Sequence, residues 1–333
     1  MIPYRKWLIG LITILSFTFT GAAVAENASY PDKPVRLIVP YAPGGGTDSM
    51  ARALAQKLSG IWNQKVIVDN RPGASESIAA SLVARSPSDG YTLLFASDST
   101  FQLNPLLYNR LSYDPDKDLV PITRFAMSPF ALFVNAKTPV NSFQEFIEYA
   151  KKNRGNTFYG SYGVANSTNL GLSWISKQFD LDMVHVPFAG QGPAMLGLLG
   201  GEIQILFGNI IPSSIGFIDK GQVKVLVVSG EKRLSNAPDV PTFRELGYDN
   251  LDTGYTLGIA APAGVSQEVQ KEIFEAVKTA AKDPDLIKYA AESLSIHLFS
   301  ETSEQYRDFI MESRKVLQQR IDAAGLDKLD AEG

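Results

Sequence analysis

Gly44-Gly45-Gly46-Thr47-Asp48 sets three glycines beside a hydroxyl and a carboxylate. Without Cβ atoms the backbone there can approach a bound group closely. A helix starting at this point adds unpaired N–H donors and the positive end of its dipole. That chemistry suits an anion. Two other stretches carry polar groups of the same kind, Asn70-Arg71-Pro72-Gly73-Ala74-Ser75 and Ala96-Ser97-Asp98-Ser99-Thr100. The glycine stretch is no Walker phosphate loop, because no Lys follows it. Nor is it a dinucleotide fingerprint, because Ser49 stands where the third glycine belongs. A tight turn without a ligand is the alternative for this stretch alone.

Catalytic patterns are missing. Ser75, Ser97 and Ser167 are possible nucleophiles, but none lies in a G-x-S-x-G elbow. Nothing in the sequence places His297 beside a serine. No carboxylates pair at an acid–base spacing. His185 and His297 are far apart and the chain has no cysteine, so neither a metal site nor a cofactor is expected. The residues describe a binding protein and not an enzyme.

The elements that must hold these loops repeat one unit of strand, loop and helix. Residues 35–39, 65–68 and 91–95 read as strands, and each runs into one of the three polar stretches. Ala51, Leu54, Ala55 and Leu58 give the first helix its apolar face. Thr47 or Asp48 is its expected N-cap and Gly60 its end. Ile78, Leu82 and Val83 mark the helix after the second loop. Such alternation argues for an α/β fold with a mostly parallel sheet, in which ligands bind beyond the carboxyl ends of the strands. A second series follows. Strands near 130–134, 157–160, 183–186, 203–207 and 223–228 run into polar loops at Ser161 to Thr168, Pro187 to Gly192 and Gly208-Asn209. Capping boxes at Ser142-Glu145 and Thr242-Glu245 predict helix starts. Residues 255–261 then return as a strand, followed by helices capped at Ser266 and Asp283 and a last helix ended by Gly325.

The chain has 333 residues, 45% hydrophobic and 20% charged, enough for two domains. Arg5 and Lys6 precede the apolar run 8–19, and Ala23-Val24-Ala25 is a small-x-small site, so residues 1–25 read as a secretory signal peptide. They carry two basic and no acidic residues, and their removal takes the net charge from −4 to −6. An acidic exported protein is a poor partner for nucleic acid or an anionic membrane surface. Export without cysteine means a fold with no disulfides.

These stretches together resemble the periplasmic solute-binding component of tripartite tricarboxylate transporters, the Bordetella uptake gene product family. The carriers are Tyr30-Pro31-Asp32-Lys33-Pro34-Val35-Arg36, Pro43-Gly44-Gly45-Gly46-Thr47-Asp48, Asn70-Arg71-Pro72-Gly73-Ala74 and Asp89-Gly90-Tyr91-Thr92-Leu93-Leu94. Further along come Val184-His185-Val186-Pro187-Phe188, Leu198-Leu199-Gly200-Gly201-Glu202-Ile203, Asp239-Val240-Pro241-Thr242 and Ala261-Pro262-Ala263-Gly264. The resemblance spans residues 30–329.

It implies a two-lobed Venus-flytrap fold, each lobe a mixed, mostly parallel sheet flanked by helices. Residues 26–125 and 254–333 would form lobe 1 and residues 126–253 lobe 2, with crossings near Thr123–Ser128 and Asp252–Gly258. It implies a periplasmic monomer that captures a small organic carboxylate and delivers it to membrane permease subunits. The alternative is a periplasmic sensor that presents the liganded form to a receptor kinase. Mapped onto this chain, the family's binding loops are Tyr41 with Gly44, Gly45, Gly46, Thr47 and Asp48; Ala74 and Ser75; and Ser97 and Asp98. In the middle lobe they are Tyr162, Asn166, Ser167 and Thr168, with Phe188, Gly190 and Asn209 in neighbouring loops. Ser75-Glu76-Ser77, Asp98 and Gly208 depart from the family pattern. The last argues against a simple acidic amino acid as ligand. The rings of Tyr41, Phe95, Phe101, Tyr162, Phe188 and Phe207 would suit an aromatic acid, although aromatics at strand ends are usually core.

Overall fold

The computed structural model describes residues 30–230, 232–248 and 254–330. The expected signal peptide, residues 1–25, and the start of the second expected crossing, residues 252 and 253, lie outside the described residues. The expected alternation holds through most of the described residues. It runs β1 (Val35–Val39), α1 (Gly46–Trp62), β2 (Val66–Asn70), α2 (Ser77–Ala84), β3 (Thr92–Ser97), α3 (Asn104–Leu107) and β4 (Leu119–Pro129). The second series is β5 (Ala131–Asn135), α4 (Phe143–Lys152), β6 (Phe158–Ser161), α5 (Ser167–Gln178), β7 (Val184–Pro187), α6 (Gln191–Gly200), β8 (Ile205–Gly208), α7 (Pro212–Asp219) and β9 (Val223–Val228). The return is β10 (Gly254–Pro262), α8 (Gln267–Ala280), α9 (Pro284–Lys288), β11 (His297–Leu298) and α10 (Ser303–Ala324).

Two mixed sheets result, in the orders β11-β4-β10-β3-β1-β2 and β7-β6-β8-β5-β9. In the first, β1, β2 and β3 are parallel and β10 runs against both β3 and β4. In the second, β6 is parallel to β7 and β8, while β5 opposes β8 and β9. Strands β3, β5 and β8 are buried along their whole length. That is why they read as continuous apolar runs without alternation.

The chain crosses between sheets at Phe130. Strand β4 belongs to the first sheet up to Pro129, and β5 begins the second at Ala131. Phe130, 1% exposed, stacks on Phe207 at 5.6 Å and on Tyr255 at 5.3 Å, so one ring joins the two cores. Helix α10 closes a second seam, packing on β4 in one lobe and on α5 in the other.

Several ends differ from expectation. Helix α1 starts at Gly46 with Gly45 as N-cap, so Thr47 and Asp48 are inside its first turn. Asp48 reaches back to accept the Gly44 N–H at 3.0 Å, which replaces a side-chain N-cap. The helix passes through Gly60 and stops at Asn63 in the left-handed region. Ile78 is 50% exposed, and α2 buries Ala79, Ala80 and Val83 instead. Thr242 and Glu245 make both bonds of a capping box, at 2.8 and 3.0 Å, yet only a turn follows them. The caps at Ser142, Ser266, Asp283 and Gly325 are as expected.

Candidate functional site

The loops after β1, β2 and β3 leave one edge of the first sheet and face the loops after β6, β7 and β8 of the second. Gly44 has φ +90, a conformation that admits glycine readily and turns the chain into α1. The second loop reaches a similar shape without glycine. Ala74, Ser75 and Glu76 have φ of 45, 47 and 78 in succession, a costly run for residues with Cβ atoms. It turns Ser75 toward the other lobe and sends Glu76 inward.

Contacts across the cleft are made by hydroxyls and amides. Asn166 Nδ2 donates to Tyr41 Oη at 3.1 Å and to Ser99 Oγ at 3.2 Å. Ser75 Oγ accepts the Ala165 N–H at 3.1 Å. Ser167 donates its hydroxyl to Asp98. Ala42 N–H donates to the Ala189 carbonyl at 3.2 Å. Asn209 gathers the other end: its Oδ1 accepts from Tyr255 Oη at 3.0 Å and its Nδ2 donates to Ser128 Oγ. Gln191 holds the Asn209 backbone in place through both its amide atoms, at 2.6 and 3.0 Å. No Lys or Arg takes part in these bonds.

Two carboxyl groups lie among the hydroxyls. Glu76, 2% exposed, accepts from Tyr41, Ser97 and Thr100. Burial pushes its pKa up, and the three hydroxyls oppose that. Burial, with the Glu76 charge adding to it, pushes Asp98 up to about 8. Burial also raises Tyr41 and Tyr162 well above the usual tyrosine range and Tyr255 up to about 12, so these rings keep their hydroxyl protons. Asp48 is the opposite case. Burial would raise it, but bonds from Arg52, the Gly44 N–H and Asn70 outweigh that and hold it below the carboxylate range.

Most of the expected residues meet here. Tyr41, Ser75, Ser97 and Asp98 meet residues 165–167 directly or through one intermediate, and Asn209 meets Thr47 through Tyr255. Gly45 and Gly46 pack close to Gln191 and Asn209, and Gly190 packs close to Ala42. Thr47 Oγ1 is 3.3 Å from Tyr255 Oη. Tyr162 closes on Tyr41 edge-to-face at 6.5 Å. Thr168 Oγ1 accepts the Tyr162 N–H at 3.0 Å and shapes that loop. Ala74 supplies backbone shape. Asp48 is fully engaged within its own lobe, with Arg52, Asn70 and Gly44. Phe188 makes none of these bonds: its partly buried ring packs over Gly160 and Gly197, against the second lobe's core. Phe95, Phe101 and Phe207 are core as well. Arg71 pairs with Asp69 at 2.9 Å. His185 sits at the Ser161 hydroxyl and His297 in the other sheet, so the two histidines share no site. Ser99, Ser128, Gln191 and Tyr255 were not among the expected residues. Gln191 and Ser99 lie in polar loops that the sequence shows, but Ser128 and Tyr255 lie in strands and carry no local signal.

A family model described as the tripartite tricarboxylate transporter family receptor matches residues 50–326. The UPF0065 protein in gbd 5'region of Cupriavidus necator is 32% identical over 306 residues, 92% of either chain. Among solved structures, the periplasmic binding protein BugD is 27% identical with a TM-score of 0.85, covering 90% of this chain and 100% of its own. An R. palustris protein solved with adipate is also 27% identical, with a TM-score of 0.86 over 90% of this chain and 100% of its own. A Rhodopseudomonas palustris protein with bound malate, MatC, is 25% identical, with a TM-score of 0.79 over 88% of this chain and 100% of its own.

Proposed function

The chain belongs to the tripartite tricarboxylate transporter receptor family of periplasmic solute-binding proteins, and from that premise we propose that it captures a small organic carboxylate between its two lobes and hands it to membrane permease subunits. The observation that carries this reading is the cleft itself. Amides and hydroxyls from six loops of two sheets converge, with no fixed cation among their contacts. Neutral donors of this kind hold a carboxylate through several N–H and O–H bonds, and ligand contacts from both lobes favour the closed arrangement. The glycine loop and Ser75 would take one carboxylate end, and Tyr162 to Thr168 with Asn209 would close over the rest. Similar proteins with adipate and with malate support an aliphatic diacid as the first class to test. Lobe surfaces brought into register by closure would be what the permease recognises.

The test is a thermal-shift series on residues 26–333 with adipate, malate, citrate, benzoate and nicotinate. Ligand held only by the folded chain raises the melting temperature by mass action. Gly46→Val should abolish the shift, because a Cβ there would already lie 3.1 Å from Asn209 Oδ1. No shift with any of these acids would refute the carboxylate reading. Export is tested separately: N-terminal sequencing of periplasmic protein should begin at Glu26.

A further inference from the structure

Glu76 reaches its place at a cost in backbone conformation. It ends the run Ala74, Ser75 and Glu76, with φ of 45, 47 and 78, which glycine would adopt freely. Its carboxyl then meets four donors. Oε1 accepts the hydroxyls of Tyr41 and Ser97. Oε2 accepts Thr100 Oγ1 at 2.6 Å and the Ser97 N–H at 3.4 Å. None of the four is a cation. Three hydroxyls and one amide N–H are the donor set of a carboxylate pocket. Tyr41 follows β1, and Ser97 and Thr100 lie at and after the end of β3, while the carboxyl arrives from the loop after β2. The pocket borders the cleft between the lobes. Tyr41 Oη, which donates to Glu76, also accepts Asn166 Nδ2 of the other lobe at 3.1 Å. Ser75, next to Glu76 in the chain, accepts the Ala165 N–H of that lobe at 3.1 Å.

We propose that Glu76 is a specificity-determining residue: its carboxyl fills, from within the chain, a carboxylate pocket beside the cleft, so the protein takes acids with two carboxylates and rejects those with a third. The inference rests on the carboxylate reading and narrows it. A diacid keeps the glycine loop and Ser75 for one end and the second lobe's loops for the other, and Glu76 occupies neither. A third carboxylate turned toward Tyr41 and Ser97 finds their hydroxyls already donated. It also meets a resident acid with no cation to offset the repulsion. Rejection of the larger anion is thus built from an occupied pocket and a like charge, without loss of the contacts that hold the smaller one.

The experiment is titration calorimetry of residues 26–333 with adipate, malate and citrate. Citrate is malate with one added carboxymethyl arm. The wild type should bind citrate at least about tenfold more weakly than the diacid it prefers. Glu76→Gly deletes the side chain at a φ that suits glycine, and citrate should gain at least about tenfold relative to that diacid. Glu76→Gln keeps the pocket filled without the charge, and the ratio should stay near that of the wild type. Citrate as tight as the diacids in the wild type would overturn the proposal, and so would an unchanged ratio in Glu76→Gly. An equal gain in Glu76→Gln would overturn it too, because charge and not filling would then set the choice. Propionate, which matches the deleted side chain, tests the pocket by itself. It should raise the melting temperature of Glu76→Gly combined with Gly46→Val but not that of Gly46→Val alone, and propionamide should raise neither. No propionate shift, or an equal one with propionamide, would overturn the donor set. Failure of the carboxylate reading shows up separately, as missing diacid shifts in the wild type while propionate still stabilises the glycine variant.

Discussion

Asp98→Asn separates a buried, proton-bearing carboxyl from an ordinary loop aspartate. Asp98 takes the Ser167 hydroxyl across the lobes with one oxygen and leaves the other unpaired. Its pKa rises from 3.8 to about 8, through burial first and the Glu76 charge second. At about 1.4 kcal/mol per pH unit, that gap sets a ceiling of about 6 kcal/mol on the extra cost of ionising Asp98 in the fold. Relaxation and water entry lower the ceiling but leave a penalty of several kcal/mol. Between about pH 4 and pH 8 the folded chain keeps a proton that the unfolded chain has lost. This group's contribution therefore makes stability fall as pH rises through that window, and it levels off above it. Asparagine keeps the shape and still accepts from Ser167, but it cannot ionise. Urea unfolding of both proteins, followed by circular dichroism from pH 4.5 to 9, should show the variant gaining on the wild type by about 2 kcal/mol or more. Titrating groups remote from Asp98 cancel in the comparison, and relief of the neighbouring Glu76 charge adds to the variant's gain. Parallel curves would mean that Asp98 ionises freely in the fold, and the burial argument would fail.

Gly258→Ala should cost about 1–3 kcal/mol by overpacking, because its Cβ would lie 2.6 Å from the Tyr306 ring and 2.8 Å from the Thr123 carbonyl oxygen; chemical denaturation measures this, and an unchanged midpoint refutes it. Phe130→Ala should cost about 3–5 kcal/mol, since that ring joins Phe207 and Tyr255 where the chain changes sheet; the same measurement checks it. Asn166→Asp keeps an acceptor for the Thr168 N–H at the start of α5 but removes the donor to Tyr41 and Ser99. Adipate or malate affinity should fall about tenfold or more while helix content is unchanged, as calorimetry and circular dichroism would show.

The sequence by itself determined what depends on near neighbours. Caps at Ser142, Ser266 and Asp283 bond to N–H groups three residues on, so a few letters are enough to place them. Strands buried on both faces announce themselves as apolar runs, and the loops that follow the parallel ones are where such a sheet puts its binding edge. Thus Gly44 to Thr47, Ser75 and Asp98 were legible as one set, and Asn166 joined them only through the family resemblance. Even locally there were limits: Glu245 and Thr242 cap only a turn, and α1 begins before its expected cap because Asp48 reaches back to Gly44. Only the tertiary structure decided which side chains face one another. Asp98 and Ser167 are 69 positions apart, and Thr47 and Tyr255 are 208 apart. Tyr255 reaches the cleft because β10 returns antiparallel beside β3 and β4, a pairing between distant strands that leaves no mark in either one. Phe188 packs against the second core because two glycines from distant elements, Gly160 and Gly197, make room for its ring.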